Sequence, residues 1–331
     1  MAWKAWSARL CAMLGLVAFL APGGALAATP KCDHACLEGF ADRYMTALAA
    51  RDPRGAPWAK LVKFTENNVA MEIGDGLWGT VTGVGPTALK FSDPASGAVG
   101  LFGTVQEKDA WSFYAMRMKV EAGRITEVET LINRKRDFGV GPYGDPAALA
   151  FDPLYKELVP AKERLPREKL IALADGYFST LQQNDGTIRT AFDDNCLRQE
   201  NGTLTAGHPD PKSGRAYLKC RQQFETGAYR WDDRVRDRRY FLVDPDHGLV
   251  MASMFIAHSG KIVDYKLANG TPAVSPFKAP HESHVLELFK VKNGKLTRIE
   301  AVFISTPYRM ASPWVLDGAA TKNPQTGYGR P

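Results

Sequence analysis

The chain has 331 residues, 24% charged and 45% hydrophobic, with a formal net charge of +6. That length accommodates two cores, and the mild positive balance, with acids mixed among the bases, argues against nucleic acid, which needs a one-sided basic face. No stretch after residue 27 is long and apolar enough to span a bilayer, so no stable membrane anchor is expected.

Residues 1–27 predict a secretory signal: Lys4 and Arg9 start it, an apolar run follows, and Ala25-Leu-Ala27 offers a small-residue cleavage site. Its removal takes away Cys11 and lowers the net charge to about +4. The protein is therefore expected to be secreted or periplasmic. Four cysteines remain, an even number for an oxidising compartment. Three pairings are open, and the local one is favoured: Cys32 with Cys36, and Cys196 with Cys220. The second closes a loop of roughly 25 residues and contributes about 3 kcal/mol on the chain-entropy model. The rival reading of Cys32-Asp-His-Ala-Cys36 is metal binding through His34. Zinc needs four ligands, and no second Cys/His pair with suitable spacing follows, so no metal is expected.

The first helix is predicted from Leu37, Phe40, Ala41, Tyr44, Met45 and Leu48, which recur with the spacing of one buried face. Leu170, Leu173, Ala174, Tyr177, Phe178 and Leu181 repeat that pattern 133 positions later. Phe64-Thr-Glu-Asn-Asn and Phe192-Asp-Asp-Asn-Cys then open a strand in each half. The Gly-rich residues 74–79 read as a turn holding Trp78 against the core, because they lack the strand, helix and Lys-Ser/Thr of a phosphate loop. Residues 119–129 (KVEAGRITEVE) return as 290–300 (KVKNGKLTRIE), each a hairpin around a Gly turn. The chain is thus expected to be a duplicated unit. Residues 28–136 form the first domain, 137–166 a Gly- and Pro-rich linker, 167–316 the second domain, and 317–331 a disordered tail. The arginines between Arg230 and Arg239 alternate with acids and predict a solvated, salt-bridged segment.

One helix followed only by strands implies an α+β fold. The helix must lie across a curved antiparallel sheet to bury its apolar face, leaving a cone-shaped cavity between them. This order, with the Arg43-to-Asp52 helix segment and the Gly-turn-Glu hairpin, resembles the nuclear transport factor 2-like superfamily, which includes ketosteroid isomerase and the SnoaL-like polyketide cyclases. Cys32-x-x-x-Cys36-Leu37, Phe64-Thr-Glu-Asn67, Gly76-Leu-Trp78 and Ile125-Thr-Glu-Val-Glu129 further resemble a secreted, uncharacterised domain of fungal and bacterial proteins. The resemblance implies two tandem cone-shaped domains packed as a pseudo-dimer and a small-molecule ligand. It also implies that Tyr44 and Tyr177 stand near the tyrosine of an isomerase oxyanion hole.

Candidate acid–base groups are richest in the second half: Tyr177, Asp194, His258, His284 and Glu300. Tyr44, Glu72, Trp78, Arg117 and Glu129 are the candidate ligand contacts in the first half. His284 and Glu287 differ by three positions, so a flat strand points them to opposite faces; His284 is taken as the cavity-facing one. Glu129 and Glu300, kept in both halves, can equally be structural. No Gly-x-Ser-x-Gly elbow is present and the cysteines are expected to be oxidised, which disfavours covalent catalysis. The reading is a cofactor-free lyase, isomerase or hydrolase acting on a small, partly apolar molecule; the alternative is a non-catalytic binding or structural module.

Overall fold

The protein is described from a computed structural model covering residues 1–2, 32–135 and 141–315. The predicted signal, Cys11, the tail from 317 and the first few linker residues lie outside the described residues.

Cys32 and Cys36 are disulfide-bonded. Within that loop the Asp33 carboxylate accepts from the Cys36 backbone N–H at 2.9 Å and caps α1 (His34–Ala49). Five of the six predicted face residues of α1 are buried; Met45 is half-buried and Ala47 takes its place. β1 (Trp58–Glu66) and β2 (Val69–Ala70) follow. The short α2 (Leu77–Thr80) presses Leu77 and Trp78 inward. Next come β3 (Val81–Val84), β4 (Leu89–Asp93), β5 (Ala98–Glu107), β6 (Ala110–Glu121) and β7 (Arg124–Asn133). These strands make one sheet in the order β2-β1-β7-β6-β5-β3, with β4 also on β5.

The second half begins with α3 (Arg167–Gln183), followed by β8 (Phe192–Glu200), β9 (Thr203–Ala206) and α4 (Cys220–Glu225). Cys220 is bonded to Cys196. Then come β10 (Arg234–Asp244), β11 (Leu249–His258), β12 (Asp264–Lys266), β13 (Pro272–Val274), β14 (His281–Lys292) and β15 (Lys295–Thr306). Their main sheet runs β10-β11-β14-β15-β8-β9. Both sheets are mixed, which corrects the antiparallel expectation. The chain leaves each helix and lays its first strand beside its last in the same direction, β1 on β7 and β8 on β15.

The repeat persists in the pairing. Ala122-Gly123 and Asn293-Gly294 both turn their hairpins with positive φ, and the register shifts after Lys119 in one and after Lys290 in the other. The structure corrects the pairing of the opening strands, however. Phe64 faces Val128 and Arg198 faces Ile299, so Phe64 matches Arg198 rather than Phe192. The repeated feature is Glu66-Asn67 and Glu200-Asn201. Asn67 Nδ2 donates to the Ile132 carbonyl and Asn67 Oδ1 accepts from the Ile132 N–H; Asn201 does the same with Phe303.

The outer faces of the two sheets share one apolar layer. Phe91, Phe102, Phe113 and Leu131 lie in it with Leu242, Met251, Leu286 and Val302. The segment between the halves is tied into it, with Tyr155 buried on a one-turn helix, Pro153–Lys156. The arginine-rich segment is salt-bridged as expected but only partly solvated: Arg230 and Arg234 are exposed, while Arg236, Arg238 and Arg239 are half-buried. Arg236 pairs with Glu282, Arg238 with Asp175 and Arg239 with Glu129, because β10 lies between α3 and the facing sheet. No helix among the described residues is long and apolar enough to cross a membrane.

Candidate active site

A cavity of about 290 Å³ opens between α3 and its sheet. Tyr177 and Leu181 line it from the helix. Arg198, Glu200 and Thr205 line it from β8 and β9, Ile256 and His258 from β11, and Ser283, Val285 and Glu287 from β14. Tyr229, Trp231, Asp232 and Phe277 complete its lining. Alternation along β14 explains the selection: Val285 and Phe289 join the helix-side core, while Leu286 and Leu288 join the layer between the sheets. Glu287 is therefore on the cavity side and His284 is not.

One cluster sits deep in the site. Arg198 donates through Nη1 to the Tyr177 hydroxyl at 3.3 Å, through Nη2 to Gln223 Oε1 at 2.7 Å and to the Tyr229 hydroxyl at 3.4 Å, and through Nε to Glu200 and Thr205. Glu287 is fully enclosed; burial, helped by the Glu200 charge, pushes its carboxyl up to about 8 against the pull of Arg198 and Tyr177. Burial likewise pushes the Tyr177 phenol well up. At neutral pH this end of the cavity thus presents a protonated carboxylic acid and a phenol beside a guanidinium.

The second cluster lies six residues along β14, about 20 Å of strand. There His281 pairs with His258 across the ladder. His258 Nδ1 lies 2.9 Å from the Asp232 carboxylate and 3.2 Å from the Trp231 carbonyl. Its ring stacks on Phe277 at 4.1 Å. Burial raises the Asp232 carboxyl, and the His258 hydrogen bond opposes that shift. The carboxylate fixes the imidazole's orientation and its Nδ1 proton, the arrangement that suits a general base. Apolar Val285 and Ile256 lie among the lining residues, so the cavity offers an apolar wall between two polar clusters.

Of the predicted acid–base set, only Tyr177 and His258 line this cavity. Asp194 is exposed, because a bulge takes residues 193–195 out of the β8 ladder and Asp193 caps the Asn195 N–H instead. His284 is buried between the sheets, 3.4 Å from Glu129 and 3.0 Å from the Ser253 hydroxyl. Glu300 lies on that same side of its sheet, against Gln199, with its carboxyl pushed well up by burial.

The predicted contacts of the first half do not converge either. Glu72 is exposed in the loop before α2. Tyr44 and Trp78 pack edge to face at 5.4 Å within the core. Arg117 and Glu129 form a buried ion pair at 2.7 Å. Arg239 Nη2 reaches the same carboxylate from the other sheet at 2.6 Å. Burial would raise Glu129, but Arg239, His284 and Arg117 hold it well below the usual carboxylate range.

Sequence reasoning missed Arg198, Tyr229, Asp232 and Glu287 as cavity groups. A signal existed for Glu287. Carrying the 171-residue offset back along the hairpin sets Glu287 against Met116 and Val285 against Tyr114, a charged and a small residue where the first half has two large apolar-faced ones.

A family model described as a domain of unknown function (DUF8021) matches residues 163–303, the half that holds this cavity. No curated protein matches the chain. Among solved structures, a candidate isomerase from Bacillus subtilis aligns at 12% identity and a TM-score of 0.27, covering 41% of this chain and 86% of that one. A candidate hydroxylase from Streptomyces galilaeus aligns at 11% and 0.27, covering 42% and 81%. A candidate polyketide cyclase from Xanthomonas campestris pv. campestris aligns at 16% and 0.24, covering 41% and 90%. Similarity of that degree leaves the cavity to be read from its own residues.

Proposed function

We propose that the second half is a cofactor-free acid–base catalyst for a small, partly apolar carbonyl compound, acting outside the cytoplasm. The observation that carries this reading is the placement of the protonated Glu287 and Tyr177 at one end of a cavity whose other end holds the Asp232–His258 pair. Two neutral donors side by side suit an oxygen that gains negative charge, and Arg198 behind them favours that charge electrostatically. Glu287 and Tyr177 hold the carbonyl oxygen as it gains charge. His258, held by Asp232 six strand positions away, takes a proton from the far end of a conjugated ligand long enough to span the cavity, and its return at a carbon nearer the oxygen completes an isomerisation. A protonated carboxylic acid paired with a phenol is the donor set described for ketosteroid isomerase. The two disulfides support an oxidising location. The repeated strand order and the shared apolar layer support two cone-shaped domains, 28–136 and 167–316, joined by the 137–166 linker as a pseudo-dimer.

The test is base-catalysed exchange of carbon-bound hydrogen in deuterated buffer, followed by NMR across a panel of elongated conjugated ketones. Exchange should be catalysed by the native chain and fall about 100-fold or more in His258→Ala and in Glu287→Gln. Rates equal to buffer across the panel, or unchanged in both variants, would remove the assignment.

One observation favours a binding module instead. The Arg198 guanidinium is already met by Glu200, Thr205, Tyr177, Gln223 and Tyr229, a network that braces itself without a ligand. On that reading the ketones bind, no exchange occurs, and binding survives His258→Ala.

A further inference from the structure

The Cys32-Asp-His-Ala-Cys36 loop at the start of α1 presents His34 to the other half of the molecule. Its ring meets that of His247 edge to face, with centroids 5.3 Å apart. His247 lies in the turn between β10 and β11, and its Nδ1 is 2.6 Å from Oδ2 of Asp244. One ligand atom from each of His34, Asp244 and His247 falls within 4.8 Å of the other two. From these positions we propose a divalent transition-metal site, of the zinc class, that joins the two halves through His34, Asp244 and His247.

Three features beyond proximity fit that assignment. Ser92 Oγ meets His34 Nδ1 at 3.0 Å, which fixes the ring and leaves Nε2 as the ligand, the outer partner that metal-bound imidazoles usually have. Asp244 Oδ1 accepts the Asp246 N–H at 2.9 Å, so its second oxygen is the one presented to His247. Two imidazoles and a carboxylate suit divalent transition metals such as zinc, iron or cobalt over calcium or magnesium, which prefer all-oxygen sets. The nearby cations have acids of their own, Lys90 on Asp42 at 2.8 Å and Lys156 on Glu38 at 3.7 Å.

Size decides the role. Tetrahedral zinc at about 2.1 Å from each ligand sets ligand atoms about 3.4 Å apart, so the His247–Asp244 pair, 2.6 Å apart as a hydrogen bond, must open slightly as the ion replaces its proton, while His34, within 4.8 Å, moves in. The space among them is about 20 Å³, enough for an ion and one water but not for a substrate. The site is therefore a clamp between α1 and the β10–β11 turn, separate from the cavity under α3.

The test uses the full chain without an affinity tag, stripped with chelator and titrated with Zn²⁺ by calorimetry, with thermal unfolding read in parallel. We expect one ion per chain and a Tm that rises with zinc concentration, as binding to the folded state requires. His34→Ala and His247→Ala should each lose both effects, Ser92→Ala should weaken binding about tenfold, and His208→Ala, in a distant loop, should change neither. Should a ligand variant fail to fold, Co²⁺ added to the native chain decides: visible absorption from a four- or five-coordinate ion supports the site. No such absorption, or zinc uptake unchanged in both histidine variants, overturns it.

Discussion

The spaces under α1 and α3 are built on one plan and filled differently. Tyr44 and Tyr177 occupy the same helical position, and Phe64 stands where Arg198 does, on strands whose registers coincide. On the central hairpin Tyr114 and Met116 stand where Val285 and Glu287 do. In the first half Tyr44, Tyr114 and Met116 are fully buried in one apolar cluster with Trp78. In the second, the smaller Val285 leaves room and the charged replacements line it. A handful of side chains thus separates a solid core from a polar cavity on one backbone, while the Glu-Asn bridge and the hairpin bulge stay common to both.

The sharpest contrast lies in the repeated glutamates. Glu129 is ringed by Arg117, Arg239 and His284, whereas Glu300 has Gln199 as its hydrogen-bonding neighbour. Their carboxyls are shifted in opposite directions, down for Glu129 and up for Glu300. Glu129→Gln should therefore cost about 3 kcal/mol in urea unfolding at pH 7, because it takes the shared carboxylate from the buried Arg117, left with Glu127, and from the half-buried Arg239, left with the Ser253 hydroxyl. A lowered folded pKa gives stability that is present above the unfolded value near 4.5 and lost as pH falls, so that deficit should shrink in acid. Glu300→Gln should cost little below pH 4.5 and become stabilising relative to the native chain as pH rises. Equal losses for the two at pH 7 would show that the halves share one electrostatic environment here after all.

Glu287 sharpens the same comparison, since Met116 at the matching place cannot titrate. Its folded value of about 8 lies above the unfolded 4.5. The folded state then holds the proton longer, so this group's contribution is whole below 4.5 and declines as pH rises toward 8. A tenfold change in proton affinity corresponds to about 1.4 kcal/mol, and enclosure of the coupled Tyr177–Arg198 cluster makes a few kcal/mol the expected scale. Unfolding titrations across pH 4–9 should show a downward slope in the native chain that Glu287→Gln flattens. Parallel profiles for the two proteins would place an ionised carboxylate in the cavity.

Exchanging the fillers tests the geometry directly. Val285→Tyr should close the cavity as Tyr114 closes its counterpart, at a cost of about 1–3 kcal/mol for overpacking, and abolish ketone binding in calorimetry. Binding that persists in a folded Val285→Tyr protein would put the ligand elsewhere.

Much of the scaffold was legible in the sequence because it depends on short-range pattern. The helix stripes follow from spacing, the hairpins from Gly turns, and the disulfides Cys32–Cys36 and Cys196–Cys220 from an even count and local separation. The mixed sheets were not legible, because the β1–β7 and β8–β15 pairings join strands about sixty and a hundred positions apart with no turn to announce them. The cavity lining was less legible for a related reason. Facing was assigned to His284 alone, while the bulge that expels Asp194 and the loop that returns Asp232 to His258 are tertiary events. Tyr177 and His258, read from a helix stripe and a strand end, do line the cavity, and both rest on local signals.

The smallest difference between the halves is in their tightest turns. Both hairpins need φ near +50° at the first turn residue, 47° at Ala122 and 52° at Asn293. Asparagine tolerates that region, whereas alanine meets its own carbonyl there at a cost of about 1–2 kcal/mol. Ala122→Asn should therefore stabilise the chain by about 1 kcal/mol, and Asn293→Ala should destabilise it by a similar amount, both read from urea midpoints at constant slope. The two changes touch no cavity residue, so they should leave ligand binding unaltered. If Ala122→Asn gives no gain while Asn293→Ala still costs, the first turn relaxes away from its positive φ in solution, and the identity of the two hairpins ends at their sequences.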